Sequence, residues 1–216
     1  MIVIGFFSTI LPLQIGRDWI ASPFVIVITA WVPIFLVTSV IADSFAGERE
    51  RHTLETLLAS RLSDRAILLG KIAAGVSYGW GLTLIILFAQ LVTINIFSGE
   101  GQLLFYQGII GPGSVVISLL SAGLAANVGV LVSLRAPGTR QAQQTLSVVA
   151  MALLALPVVL VRAIPAAWRE SLSQMILTSQ AYQFMLVILC VLFILNIGLL
   201  MLTLARFQRT RLILAE

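Results

Sequence analysis

The sequence predicts an all-α fold, a polytopic transmembrane helical bundle of about six spans. Three observations lead to this prediction. Hydrophobic residues make up 59% of the 216 residues, and the mean hydropathy is +1.06. Only 10% of the residues are charged, whereas a soluble domain carries about 25%. The apolar residues also fall into separate long runs, which is typical of membrane-crossing helices rather than of one soluble core.

Six apolar segments are predicted as spans. Residues 1–13 would form a helix of about 20 Å, which is shorter than the ~30 Å hydrocarbon core. We interpret this segment as the second part of a span that begins before Met1, with a short re-entrant or tilted segment as the alternative. The other spans are predicted at residues 23–43, 67–97, 111–134, 145–162 and 182–205.

Helix boundaries and one interfacial helix are also predicted. Ser22 and Ser63 precede helical stretches and are expected to cap them, and Pro33 is expected to kink the first complete span. Residues 165–178 form an amphipathic pattern that includes Trp168. We expect them to form a helix lying in the outer interface, with the indole at headgroup depth.

The basic residues predict the orientation of the bundle. Ten of the thirteen Lys and Arg residues lie in the stretches 44–71 and 135–144 and in the C-terminal tail. Excess positive charge marks cytoplasmic loops, so these stretches and both termini are predicted to be cytoplasmic, in a plasma (inner) membrane. This asymmetry accounts for the net charge of +4 and the pI near 10.0, and nucleic-acid binding is not expected.

Residues 47–60 form the dense charge cluster of the sequence, within a loop predicted at residues 44–66. Read as a helix, the stretch places leucines on one face and most of its charges elsewhere. The leucines of that face are Leu54, Leu57, Leu58 and Leu62. We therefore predict a cytoplasmic amphipathic helix that rests on the membrane domain and offers its charges to a soluble partner.

The chemistry that the sequence lacks narrows the function. No Gly-rich nucleotide loop ends in Gly-Lys-Ser or Gly-Lys-Thr, and a single histidine, His52, with a single cysteine, Cys190, gives no basis for a metal site or a catalytic triad. We expect no enzyme activity and no cofactor in this chain. The predicted spans are uncharged inside, which disfavours an ion-coupled carrier and favours a subunit driven from outside the bilayer.

A few small and polar residues inside the spans predict helix contacts. Gly75 and Gly79 are spaced four apart and would let two helices approach closely, although ordinary glycine use in membrane helices explains them equally well. Four amides are expected to bond neighbouring helices rather than a substrate; they are Gln90, Asn95, Asn127 and Asn196.

The stretch from Glu48 to Ser60, followed by Ile67-Leu68-Leu69-Gly70-Lys71, resembles the signature of ABC-2 type transporter permeases. The positions that match are Glu50, Thr53, Leu54, Glu55, Leu57, Leu58, Gly70 and Lys71. The order of the predicted spans resembles the family over nearly the whole chain. Two positions depart from it: His52 stands where the family commonly has glycine, and Arg61 stands where it commonly has proline.

The resemblance implies the membrane subunit of an ATP-driven exporter. In that family two permease subunits, identical or different, form the substrate path, and each sits on a separate ATP-binding subunit that holds ATP and Mg. A cytoplasmic coupling helix docks on that subunit and transmits its movement. The resemblance implies that the leucines anchor this helix and that Glu50, Arg51 and Glu55 face the partner. The implied partner-binding residues are Glu48, Arg49, Glu50, Arg51, Thr53, Leu54, Glu55, Leu57 and Leu58, with Gly70 and Lys71 opening the next span.

Other functions fit the same residues. The charged stretch could be a solvated loop that only orients the protein. The chain could also be a membrane scaffold or sensor that binds a cytoplasmic partner, or a carrier or channel that works without ATP. The transported substrate is not indicated by the sequence.

Overall fold

The computed structural model describes residues 5–53, 56–57, 59–163, 165 and 181–207. Within this part the chain is helical and contains no strand. A π-helical turn (Phe6–Ile10) leads into α1 (Leu11–Ile15) and a 3₁₀ segment (Gly16–Ala21). The remaining helices are α2 (Phe24–Ile41), α3 (Ala46–Glu50), α4 (Asp64–Ser98), α5 (Ile110–Ser133), α6 (Thr139–Ala163) and α7 (Ala181–Arg206).

Four of these helices, α2, α4, α5 and α7, are long and apolar enough to cross a membrane. The protein is therefore an all-α membrane bundle, as the composition predicts. Helices α2, α4, α5, α6 and α7 also cover the stretches in which the last five spans are predicted. The predicted interfacial helix at 165–178 lies outside the described residues, apart from its first position.

Serine side chains fix the starts of two of the long helices. The Ser22 hydroxyl accepts a hydrogen bond from the Phe24 amide at 3.2 Å, and the Ser63 hydroxyl accepts one from the Ala66 amide at 3.2 Å. Each bond satisfies a first-turn amide that has no partner within its helix. Both predicted caps are confirmed, and Pro33 lies inside α2 as predicted.

The centre of the bundle is the contact of α2 with α5 and α4. Helix α5 offers a buried stripe of small residues that includes Ala122, Ala125 and Ala126, which lets the neighbouring backbone come close. On α4, a Cβ atom added at Gly79 would lie 2.3 Å from Cγ2 of Val37 on α2. The predicted close approach at this glycine is confirmed, and it is the packing mode that membrane helices use in place of a hydrophobic driving force.

At one end of the bundle, the side chain of Gln90 ties the N-terminal segment to α4. Its amide nitrogen donates to the Phe7 carbonyl at 2.8 Å. Its oxygen accepts from the Tyr106 hydroxyl at 3.0 Å and from the Trp19 indole at 3.4 Å. Gln90 and Trp19 are fully buried, and burial raises the pKa of the Tyr106 phenol, which keeps it a donor. This amide bonds neighbouring elements, as predicted.

Helix α7 is held to α5 by two further amides. Asn196 donates to the Leu120 carbonyl on α5 at 3.0 Å. The Thr203 hydroxyl lies 3.4 Å from the Asn127 side-chain oxygen. Asn95 instead binds the loop that follows α4. Its side-chain oxygen accepts from the Leu104 amide at 2.8 Å, and its nitrogen donates to the Leu104 carbonyl at 2.9 Å. All three amides act between structural elements rather than within an open path.

The opposite end of the bundle gathers the polar stretches 42–53, 59–71 and 133–139 and Phe207, and we call it the α3 end. Phe45 packs on Phe207 with ring centroids 5.4 Å apart, so the start of α3 meets the end of α7. The stretches that carry most of the basic residues therefore share one end of the bundle. Arg17 and Glu100 form an ion pair at 2.9 Å near the other end.

Candidate functional site

Ser133, the last residue of α5, fixes where α3 begins. Its fully buried hydroxyl accepts hydrogen bonds from the amides of Phe45 and Ala46 at 3.1 and 3.0 Å. It donates to the Ala42 carbonyl at 3.1 Å. These amides are the unpaired donors that open a helix, so one side chain from 87 residues further along the chain caps α3.

Arg49 of α3 binds the end of α5. Its guanidinium donates to the Ala136 carbonyl at 2.5 Å and to the Leu134 carbonyl at 3.1 Å. Leu134 caps the C-terminus of α5, where unpaired carbonyls give the helix a partial negative charge. The fork geometry of arginine lets a single side chain satisfy the Leu134 carbonyl at this helix end and the Ala136 carbonyl in the turn that follows.

Glu50, the next residue, reaches the start of α6. One carboxylate oxygen accepts from the Thr139 hydroxyl at 2.7 Å and from the Thr139 amide at 3.1 Å. These two bonds, the hydroxyl first, hold the pKa of the Glu50 carboxyl below its usual value. The carboxylate also faces the positive end of the α6 dipole, so it acts as a cap supplied by another helix.

Helix α3 ends in a Schellman motif centred on His52. The Thr53 amide donates to the Glu48 carbonyl at 2.9 Å, and the His52 amide donates to the Arg49 carbonyl at 3.1 Å. His52 has φ +56°, the left-handed conformation that this motif usually gives to glycine. This explains why the signature that the sequence resembles commonly has glycine here.

The prediction of one helix through residues 48–60 is therefore wrong. Helix α3 has only five residues and ends at Glu50, because the left-handed His52 turns the chain away from the helix axis. Leu57 packs against the core as a partly buried residue. Leu54, Glu55 and Leu58 lie outside the described residues, so the predicted leucine face stays a prediction.

Lys71 of α4 holds α3 from another side. Its ammonium lies 2.7 Å from a Glu48 carboxylate oxygen, with the two side chains only 17% and 26% exposed. It also donates to the Ser44 carbonyl and lies 4.5 Å from the centre of the Phe45 ring. Partial burial makes this pair stronger than a solvent-exposed one. Gly70, its neighbour in the motif, has open space where a Cβ would point.

Arg51 makes a looser contact than its neighbours. Its guanidinium lies 3.0 Å from both oxygens of Asp43, and the side chains are 65% and 45% exposed. Such a pair contributes about 0–1 kcal/mol. Together with the Lys71–Glu48 pair it lines a cleft of about 250 Å³.

The structure thus brings Glu48, Arg49, Glu50 and Lys71 together, each bonded to another part of this chain. Thr53 stays near α3, with its hydroxyl 3.3 Å from the Glu48 carbonyl. Sequence reasoning missed the partners, because Ser133 and Thr139 are common residues with no motif around them. The available signal was Arg49 followed directly by Glu50 at the end of a short helix. A positive charge suits the C-terminal end of another helix, and a negative charge suits an N-terminal end.

An apolar groove of about 630 Å³ opens between α2, α5, α6 and α7. Its lining is aliphatic with one indole, from Trp31, and one hydroxyl, from Ser121. Such a surface accepts hydrocarbon groups and offers little to bind a charged solute. No group of three or more His, Cys, Asp or Glu that could hold a metal ion occurs in the described part of the chain.

A bacterial permease is similar to part of the chain. No family model matches the chain, and no solved structure matches it. Over 136 residues, 57% of its length, the chain is 26% identical to the ABC transporter permease protein NatB of Bacillus subtilis (strain 168). The aligned stretch covers 35% of that protein, so the chain spans about a third of the length of this relative.

Proposed function

We propose that the chain is a transmembrane permease subunit of an ABC exporter, coupled through α3 to a separate ATP-binding subunit. The observation that carries the proposal is the bonding of α3 to the ends of α4, α5 and α6. The similarity to the permease NatB supports it. ATP and Mg belong to the partner in this proposal, so the chain itself is not an enzyme.

Energy that drives transport has to enter the bundle at a definite place. The described parts of α2, α5 and α7 carry no charged side chain before their final residues. These helices therefore offer no charged group that would bind a coupling ion inside the membrane. Nucleotide can drive transport only if it favours one conformation over another. A short helix bonded to several long helices is a suitable receiver for that preference, because its displacement acts on all of them.

We further propose a dimer of two permease subunits, identical or different, with the α3 end and both termini in the cytoplasm. The exposed arginines at this end support that orientation. They are Arg51, Arg61, Arg65, Arg135, Arg140 and Arg206. The plasma membrane is the proposed location, and the substrate path lies between the two subunits.

The contact with the ATP-binding subunit falls on the residues that follow the Schellman turn. Glu48, Arg49 and Glu50 are engaged within the chain, which leaves fewer donors and acceptors for a partner. We assign the contact to Thr53 and Glu55, together with the exposed Arg61 and Arg65. Glu50 is thus less suited to the partner than the sequence suggested, whereas Arg51 stays exposed.

The test is co-purification with the ATPase encoded beside the gene. Tagged permease should retain an ATPase that carries a phosphate-binding loop, and Glu55→Arg should weaken that retention several-fold. Glu100→Arg is the matched control, because it reverses the same charge at the other end of the bundle. Both variants should insert into the membrane equally.

Two outcomes would count against the proposal. If Glu55→Arg and Glu100→Arg retain the ATPase equally well, the contact is placed on the wrong residues. If no ATPase is retained and the purified chain moves solute in vesicles without nucleotide, a carrier or channel is the better description. Retention of a cytoplasmic protein without nucleotide-binding motifs would favour a scaffold or sensor.

A further inference from the structure

We infer that Arg49 and Glu50 are positioning residues that lock α3 to the turn 134–138, so that α3, the end of α5 and the start of α6 move as one unit. The purpose of this lock rests on the proposed function, whereas its existence rests on the geometry alone. The residues concerned are separated by 85 to 89 positions in the chain.

Charge explains why two adjacent residues can hold two different helices. Helix α5 ends at the turn 134–138 and presents carbonyl oxygens, and α6 begins there and presents amides. A cation is favourable at the first of these ends and an anion at the second. Arg49 and Glu50 supply those charges in the order that the two helix ends require.

The lock is closed from the other side by Ser133. Its hydroxyl binds the opening amides of α3, while Arg49 binds the closing carbonyls of α5. Each element therefore caps the other, and neither can shift along its axis without breaking bonds at both ends. A sliding motion between them would leave buried polar groups without partners, which is costly.

The link from α3 to α4 is separate. It runs through Lys71 and Glu48 and uses none of the atoms of Arg49 or Glu50. Loss of the Arg49 and Glu50 bonds should consequently loosen the turn 134–138 and the start of α6 while α4 continues to follow α3. A change at α6 without a change at α4 distinguishes a positioning role from general damage to the fold.

The first arm of the test uses the permease alone, by hydrogen exchange of the amides at 134–142. We expect Arg49→Ala and Glu50→Ala to speed exchange there about tenfold, since a charged hydrogen bond is lost from the end of a helix. Glu50→Gln keeps an acceptor for Thr139 and should stay near the wild-type rate. Unchanged exchange in both alanine variants would overturn the lock.

The second arm uses the complex with the ATPase, in a Cys190→Ser background. Spin labels are placed at exposed Ala66→Cys on α4 and exposed Gln144→Cys on α6. Without further change, Mg-ATP should alter the spectra of both labels. With Arg49→Ala and Glu50→Ala combined, the α4 label should keep its response, and the α6 label should lose most of it, because Glu50 alone would still hold Thr139.

The two arms separate the possible failures. A full α6 response in the double variant overturns the lock and leaves the proposed function standing. A loss of both responses in the double variant also overturns it, because α4 should still follow α3. If neither label responds even without these substitutions, the proposed function fails, and the exchange data on the permease alone decide the lock.

Discussion

Replacement of Gly79 should show how much the bundle depends on the close contact of α2 and α4. A Cβ at this position would lie 2.3 Å from Cγ2 of Val37 and 3.3 Å from the Pro33 carbonyl oxygen. The valine is fully buried and the second atom belongs to the backbone, so neither can move away freely. Even alanine must therefore push the two helices apart.

The expected magnitude follows from overpacking. Adding one methyl group to a closely packed site costs about 1–3 kcal/mol of the free energy of unfolding. The gain in helix propensity from glycine to alanine offsets at most about 1 kcal/mol of this. Gly79→Ala should therefore be destabilised, and Val37→Ala should partly reverse the effect, so that the double variant loses less than the sum of the single variants.

Two other glycines of α4 are matched controls. A Cβ at Gly81 meets nothing within 4 Å, and one at Gly75 comes closest to the flexible end of Ile41, at 2.9 Å, with Val37 Cγ1 at an ordinary contact distance of 3.7 Å. In detergent unfolding followed by circular dichroism, we expect Gly81→Ala to equal or exceed the wild type and Gly75→Ala to fall between it and Gly79→Ala. Equal stability of all three alanine variants would refute the reasoning, as would strict additivity with Val37→Ala.

Two further predictions concern single side chains. His52→Gly should slow hydrogen exchange of the Thr53 amide a few-fold, because it relieves left-handed strain of about 1–2 kcal/mol against an entropy cost of about 0.5–1 kcal/mol. His52→Ala should not slow this exchange. If alanine slows it as much as glycine does, the left-handed conformation assigned to His52 is contradicted. Gln90→Leu should lower the free energy of unfolding by about 2–5 kcal/mol, because it leaves buried partners of Gln90 unsatisfied. Tyr106→Phe should cost only about 1 kcal/mol, and equal losses in thermal unfolding would show that the amide is not the centre of the network.

The helices were largely predictable from the sequence because their limits are set locally. Ser22 and Ser63 satisfy the first amides of their own helices, and apolar runs of sufficient length have few alternatives to a helix in lipid. The close approach at Gly79 was recognisable as one of two possibilities. Which of the two possibilities applies depends on Val37, which lies 42 positions away and has no sequence signal of its own.

The candidate site was predictable only in part. Composition located the charged stretch, but the predicted helix through residues 48–60 ignored the backbone requirement at His52. Ser133 and Thr139 could not be predicted as partners, because hydrogen bonds between distant helix ends produce no periodic pattern in the sequence. The prediction that charges in a loop of a membrane protein face outward overlooks helix ends, whose unpaired backbone groups are equally good partners for them.

The turn at His52 divides the charged stretch into two parts with different demands. Residues before it contribute Glu48, Arg49 and Glu50, whose geometry is fixed by three separate helices. Thr53, the next residue, lies beyond the end of α3. In the proposed function, a soluble partner that pulled on the first part would have to compete with existing bonds, whereas one that bound the residues after the turn would pull on α3 while its bonds to the other helices stay intact. The proposed function therefore places the partner contact and the Arg49 and Glu50 bonds on opposite sides of His52, and substitutions on the two sides should fail differently.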